Sequence, residues 1–292
     1  GLVNKKYLTE QEANSLEEAY SFLLRVRNEL HFRSKRPVDI LHLEKQPEVA
    51  LGLGYQEEDI FRRVELFMGD YYSKARTINQ LSGILEQRLV HASSGSTSSI
   101  SFKNVIKAYQ SPPTQEVDGF ELNGQQLSTQ NPQLFDEDPE RLIRLFRHSQ
   151  RLSAKLSPDL RSLVRNRLSL IDSNLINSTS ANVTFRSILQ EIGNVSPTLC
   201  EMHELGVLGR FVPEFGRLTC KVQHDLYHRF TADIHVLHCI TTLDHIFQGK
   251  KKASKHYLEA LRKNEVPGLL YLILFLHDLG KEQGPKGHCE RG

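Results

Sequence analysis

Apolar residues return every three or four positions over long stretches of this sequence, and that period suits an α-helix and no other regular structure. Ala19, Phe22, Leu23, Val26 and Leu30 form one such set. Ile60, Val64, Phe67, Met68 and Tyr71 form a second, and Ala75, Ile78, Leu81 and Leu85 continue it. Residues 10–90 therefore read as a small helical bundle. Asn14 and Ser15 ahead of Glu17 and Glu18 read as an N-cap with an acidic first turn. Helices are also expected around Leu142, Leu145 and Phe146, and around Leu160, Leu163 and Leu168. Others are expected over 183–195, 197–208, 233–248, 254–262 and 267–279. Pro197 and Pro267 suit first-turn positions, where a missing N–H costs nothing.

One segment breaks the period. In GFELNGQQLST (119–129), Phe120 and Leu122 alternate, then Leu127 follows Asn123-Gly124. Asn-Gly between alternating runs predicts a hairpin, because a type I′ turn needs positive φ at both central residues. The run HASSGSTSSIS (91–101) is dominated by Ser and Gly and reads as a loop. Its Gly95-Ser96 pair would suit a nucleotidyltransferase only if D-x-D carboxylates followed nearby to hold magnesium, and none do. The expected fold class is mainly α. It places a helical bundle over 1–112, a linker with one small β-hairpin over 113–134, and an all-helical domain over 135–292.

A hydrophobic share of 39% with 25% charged residues is enough for a packed core. Thirty-seven Lys and Arg against 35 Asp and Glu leave a net charge of +2, which does not point to nucleic acid. No apolar run reaches the roughly 20 residues a membrane helix needs. GLVNKKYLTE has no apolar core behind its positive charges and is not a signal peptide. The four cysteines, Cys200, Cys220, Cys239 and Cys289, show no CxxC spacing. That argues against a zinc knuckle or redox dithiol and fits reduced thiols in a cytoplasm. The chain lacks an initiator Met and stops at CERG just after a motif, so it reads as an internal piece of a longer protein.

The chemistry concentrates near the C-terminus. LYLILFLHDLGKEQGPKGH (270–288) is almost wholly apolar until His277 and Asp278. Leu276 and Leu279 beside the pair suggest a buried helix end, where a charged Asp is costly unless something pairs with it. A divalent cation between imidazole nitrogens and carboxylate oxygens would meet that need. A nearby Lys or protonated His would meet it too. Upstream, DIHVLHCITTLDHIFQ (233–248) carries an apolar stripe of Val236, Leu237, Ile240, Leu243 and Phe247. His235, His238, Thr242 and His245 form a second stripe, which suits either a half-exposed flank or a ligand face. QHDLYH holds another His-Asp pair, His224 and Asp225, with His228 close by; its polar setting reads as a loop or short helix. His31, His42, His91 and His148 read as surface or boundary residues.

A His on one helix, followed some forty residues later by His-Asp, resembles the HD phosphohydrolase pattern H…HD…D. Longer runs are more specific. GVLGRFVPEFGRLTCKVQHDLYHRFTADIHVLH (206–238) and AYSFLLRVRNELHFRSKRPVDILHLEKQPEVALGLGY (19–55) resemble segments of the bifunctional PII uridylyltransferase/uridylyl-removing enzymes. GFELNGQQLST and DPERLIRLFRHSQ resemble that family's segments at the same places in the order.

The resemblance implies an N-terminal nucleotidyltransferase domain, a helical region, an HD domain and two ACT domains in the complete enzyme, of which this chain holds the middle. It implies metal ligation by His235, His277, Asp278 and His288, with His277, Asp278 and Lys281 in the chemistry. The family's final Asp would fall beyond Gly292. The implied cofactor is a divalent metal, Mg²⁺ or Mn²⁺. The implied partners are the PII signal-transduction protein, UMP or UTP, and glutamine, in nitrogen regulation. The implied reaction is hydrolysis of uridylyl-PII to PII and UMP, through water whose pKa a metal lowers from about 15.7 toward about 7. Lys281 could meet a phosphate oxygen or simply complement a helix dipole. A helical regulatory or scaffold module with an incomplete or silent HD site remains the alternative. A (p)ppGpp hydrolase would resemble HDxxED, where this chain has Lys281-Glu282.

Overall fold

The computed structural model describes residues 7–94, 115–222, 231–252 and 266–280, with 259, 261 and 263. The chain divides into two compact units, Gly1–Ser98 with Cys220–Ala232 and Ser99–Thr219 with Asp233–Gly292. Among the described residues no helix is long and apolar enough to cross a membrane.

The first unit is built from α1 (Glu10–Ser34), α2 (Gln46–Gly52) and α3 (Ile60–Ser94). Helix α1 starts earlier than Asn14-Ser15 would have it. Thr9 Oγ1 accepts from the Glu12 N–H at 3.1 Å, and the Glu12 carboxylate accepts from the Thr9 N–H at 2.7 Å. This reciprocal capping box satisfies two N–H groups that the first turn leaves without helical partners, which fixes the start at Glu10. The helical period then delivers its apolar face. Val26 and Leu30 from α1, Val49 and Ala50 from α2, and Val64, Phe67 and Met68 from α3 form one buried cluster. Phe67 sits at its centre, with the Tyr55 ring edge-on at 5.6 Å.

The second unit opens with a sheet larger than the single expected hairpin. Strands β1 (Gln115–Val117), β2 (Phe120–Asn123) and β3 (Gln126–Ser128) are antiparallel neighbours. Strand β4 (Lys155–Leu156) adds to β3 in parallel. The expected β2–β3 hairpin is present with its turn displaced by one residue. Asn123 pairs with Gln126, so the turn is Gly124-Gln125, and only Gly124 has positive φ, 62°. The type I′ requirement is met one hairpin earlier, where Asp118 and Gly119 have φ of 56° and 84° between paired Val117 and Phe120.

A Cβ on Gly119 would lie 2.6 Å from Leu134 Cδ1, in addition to the left-handed backbone. Gly119→Ala is therefore expected to cost more than about 1 kcal/mol, read from the shift in urea midpoint.

Asp118 also anchors this turn to α5 (Arg141–Leu152), which follows the short α4 (Leu134–Glu137). Its carboxylate accepts from Arg144 Nε at 2.7 Å and Nη2 at 3.0 Å, and Arg141 Nε and His148 Nε2 each lie 3.3 Å away. Burial raises the Asp118 pKa. The hydrogen bonds and charge of Arg144, with Arg141 and His148, outweigh it and hold the carboxyl below the ordinary 3.8. A lowered folded pKa means stability that is full above the ordinary value and lost as pH falls through the folded one. Asp118→Asn should flatten the acid limb of a stability-versus-pH curve below about pH 4 and leave the slope near neutrality unchanged.

Helices α6 (Pro158–Asn166), α7 (Ser173–Asn177) and α8 (Thr179–Leu189) follow. Leu168 falls in a 3₁₀ turn outside α6, and α8 ends earlier than 195. The helix expected over 197–208 is two helices, α9 (Ser196–Glu204) and α10 (Val207–Phe211), broken where Gly206 takes φ of 85°. Then come α11 (Pro213–Gly216), α12 (Ala232–Phe247) and α13 (Pro267–Leu276). Pro197 and Pro267 both occupy first-turn positions. The helix expected over 254–262 lies largely outside the described residues.

The apolar stripe of α12 is buried as its spacing predicts, with Val236 and Ile240 fully enclosed. Phe275 of α13 stacks on Phe215 of α11 at 5.2 Å and meets Phe185 of α8 edge-on at 5.7 Å. Burying an aromatic ring this fully contributes roughly 1.5–3 kcal/mol, so these rings hold the end of α13 firmly in the unit.

Candidate metal centre

Two buried carboxylates on α12 set the position of the helix. Asp233 and Asp244 share the face of Leu237 and Ile240, and are 1% and 2% exposed. Asp233 Oδ2 lies 3.1 Å from His203 Nε2 on α9. Asp244 Oδ2 accepts from the N–H groups of Val195 at 3.0 Å and Ser196 at 2.7 Å. Its Oδ1 accepts from the Tyr271 hydroxyl on α13 at 2.6 Å, and that hydroxyl in turn accepts from Gly193 N–H at 2.9 Å. Burial pushes the Tyr271 phenol well above its usual range, and Asp244 adds to the shift. The Asp244–Tyr271 bond therefore clamps α12 to α13. Sequence reading missed both carboxylates as anchors. A signal was available: an acid in register with an apolar stripe implies a buried partner.

This clamp fixes the distance between His235 on α12 and the His277-Asp278 pair at the end of α13. Asp278 Oδ2 lies 3.7 Å from His235 Nε2 and 3.4 Å from His277 Nε2. The two imidazoles meet edge-on, 5.7 Å between centroids. Asp278 is 3% exposed, and each imidazole is about one-third exposed. The cluster thus has a buried floor and an open side. His277 Nδ1 is 2.7 Å from the Leu274 carbonyl oxygen. A carbonyl can only accept, so Nδ1 carries a proton and Nε2 is the ring nitrogen turned to the cluster.

Cys239, one turn after His235, joins the group, its Sγ 3.7 Å from His235 Nε2. One donor atom from each of His235, Cys239 and His277 lies within 4.8 Å of the others. Donors around one cation at about 2.0–2.2 Å are separated by roughly 3.0–3.6 Å, so these spacings suit a divalent ion with little rearrangement. His238 and His245 of the expected stripe are exposed, and only His235 of that row enters the cluster. Lys281 and His288 lie outside the described residues, as do His224, Asp225 and His228.

Residues 1–86 match the family model described as GlnD PII-uridylyltransferase, and residues 120–211 match that described as Uridylyltransferase GlnD third domain. A bifunctional uridylyltransferase/uridylyl-removing enzyme of Rhodopseudomonas palustris (strain ATCC BAA-98 / CGA009) is 32% identical over 285 residues. That alignment takes in 96% of this chain and 30% of the relative. Both matched models describe uridylyltransferases, and they occur here in one mainly helical chain. The chain belongs to the family of bifunctional uridylyltransferase/uridylyl-removing enzymes. Neither matched segment includes α12 or α13, so the chemistry of the cluster rests on its own geometry.

Proposed function

We propose that the cluster on α12 and α13 is the uridylyl-removing site, where the phosphodiester between a uridylyl group and PII is hydrolysed to PII and UMP. The observation that carries this reading is the approach of His235, His277 and Asp278 from two helices some forty residues apart. A divalent ion held there, Mg²⁺ or Mn²⁺ for this family, would supply an acidified water and offset charge on the phosphoryl oxygens.

The chain's own residues have distinct parts. Asp278 presents an anionic oxygen from a buried position, where it exerts its charge with little solvent screening. The Leu274 carbonyl holds His277 in one tautomer and one orientation. The Asp244–Tyr271 bond keeps the two helices at the required spacing. The open side left by the two imidazoles is where a tyrosyl-linked uridylyl group would approach. Lys281, three residues past Asp278 in the sequence, is a candidate to meet a phosphate oxygen as a point charge, and His288 is a further candidate ligand. PII, UMP or UTP, and glutamine are the partners this reading assigns to the complete enzyme.

The test is UMP release from uridylyl-PII by the complete enzyme. Chelation of divalent metal and His235→Ala are each expected to lower it at least about 10-fold, with readdition of metal restoring the wild type alone. Release that survives His235→Ala unchanged would move the chemistry elsewhere and leave this region as a helical scaffold.

A further inference from the structure

We infer that Cys239 is an additional ligand of this centre and that its thiolate turns the site toward zinc and away from magnesium; this rests on reading the cluster as a metal site. Cys239 follows His235 by four residues on α12, so the two side chains stand one above the other on the same face. The Sγ to Nε2 separation is 3.7 Å. Around one tetrahedral zinc, with Zn–S about 2.3 Å and Zn–N about 2.0–2.1 Å, sulfur and nitrogen stand roughly 3.6 Å apart. The same His235 nitrogen lies 3.7 Å from Asp278 Oδ2 at the end of α13, and the neighbouring His277 Nε2 lies 3.4 Å from that oxygen. Two imidazoles and one thiol therefore offer donor atoms within 4.8 Å of one another, and the Asp278 carboxylate lies beside the two imidazoles.

Donor chemistry sets the preference. Magnesium takes oxygen ligands in near-octahedral order and keeps much of its water. A sulfur donor contributes little to it. Zinc accepts nitrogen, sulfur and oxygen together and favours four-coordination. Without metal, the thiol can donate a weak hydrogen bond to His235 Nε2, which accounts for the same distance and is the competing explanation.

Cobalt(II) distinguishes the two, because it replaces zinc in such sites and a thiolate ligand adds a charge-transfer band in the near ultraviolet. The metal-free complete protein is titrated with Co²⁺, then with Zn²⁺ in competition. Wild type and Cys200→Ser, a control on α9, are expected to show the band and to lose it to one equivalent of Zn²⁺. Cys239→Ser should lack the band and hold Zn²⁺ at least about 10-fold more weakly, with unchanged far-ultraviolet circular dichroism. Visible cobalt bands without the thiolate band, or a band that persists in Cys239→Ser, would overturn the role of Cys239 while the metal site stands. Failure of the wild type to bind Co²⁺ or Zn²⁺ would overturn both. UMP release insensitive to His235→Ala would remove the hydrolytic reading alone.

Discussion

Asp278→Asn is expected to lower UMP release from uridylyl-PII by at least about 100-fold in the complete enzyme, with uridylyl transfer to PII retained. The substitution preserves shape and removes only charge. Asp278 is the one carboxylate beside the two imidazoles among the described residues, and it is 3% exposed. Its loss leaves the centre without an anionic oxygen to balance a dication, in a setting where water screens little. Transfer should persist because the sequence resemblance implies a separate nucleotidyltransferase domain for it in the complete enzyme. Measuring UMP release and PII labelling side by side checks both halves. A fall in both together would point to a folding defect, and no fall in release would exclude Asp278 from the chemistry.

Asp244→Asn should destabilise the second unit by about 2–3 kcal/mol, although it is isosteric and lies nowhere near the open side of the cluster. Both carboxylate oxygens of Asp244 accept. Oδ1 takes the Tyr271 hydroxyl, and Oδ2 takes the N–H groups of Val195 and Ser196. An amide with its NH₂ toward Val195 and Ser196 meets two N–H donors, and one turned the other way takes from the Tyr271 hydroxyl the acceptor of its proton, so a buried hydrogen bond is lost in either orientation. Tyr271→Phe should cost less, about 1–2 kcal/mol, because it removes the hydroxyl without introducing a clash. Urea unfolding of the three proteins provides the comparison. The clamp also predicts that Asp244→Asn weakens metal retention, since the proposed ligands sit on α12 and at the end of α13, which the Asp244–Tyr271 bond joins. Equal stability of Asp244→Asn and wild type would show that the clamp does not hold the helices.

Much of the local structure was legible in the residues. Period 3.6 in Val26 and Leu30, in Val64, Phe67 and Met68, and in Val236, Leu237 and Ile240 marks faces that the structure buries. Two further signals are equally local. Thr9 with Glu12 is a capping box, and Asp118-Gly119 is a type I′ turn pair. The Asn123-Gly124 signal located a hairpin and misplaced its turn, because cross-strand pairing of Leu122 with Leu127 outweighs the turn preference of Asn123.

The spacing of His235, His277 and Asp278 could be read along the chain, since a helix period and a motif are properties of neighbouring residues. Their approach to one another could not be read from spacing, because it depends on where α12 and α13 pack. That packing is decided by Phe275 on Phe215, by Asp244 on Tyr271 and on two N–H groups nearly fifty residues earlier, and by Asp233 on His203. The same holds for β4, two residues long and without a period of its own, which is a strand only because β3 lies beside it. Cys239 is the clearest case. On the sequence it is a cysteine without a CxxC partner; one helical turn puts it 3.7 Å from His235, but only the packing of α12 against the end of α13 brings a donor atom of His277 within 4.8 Å of both.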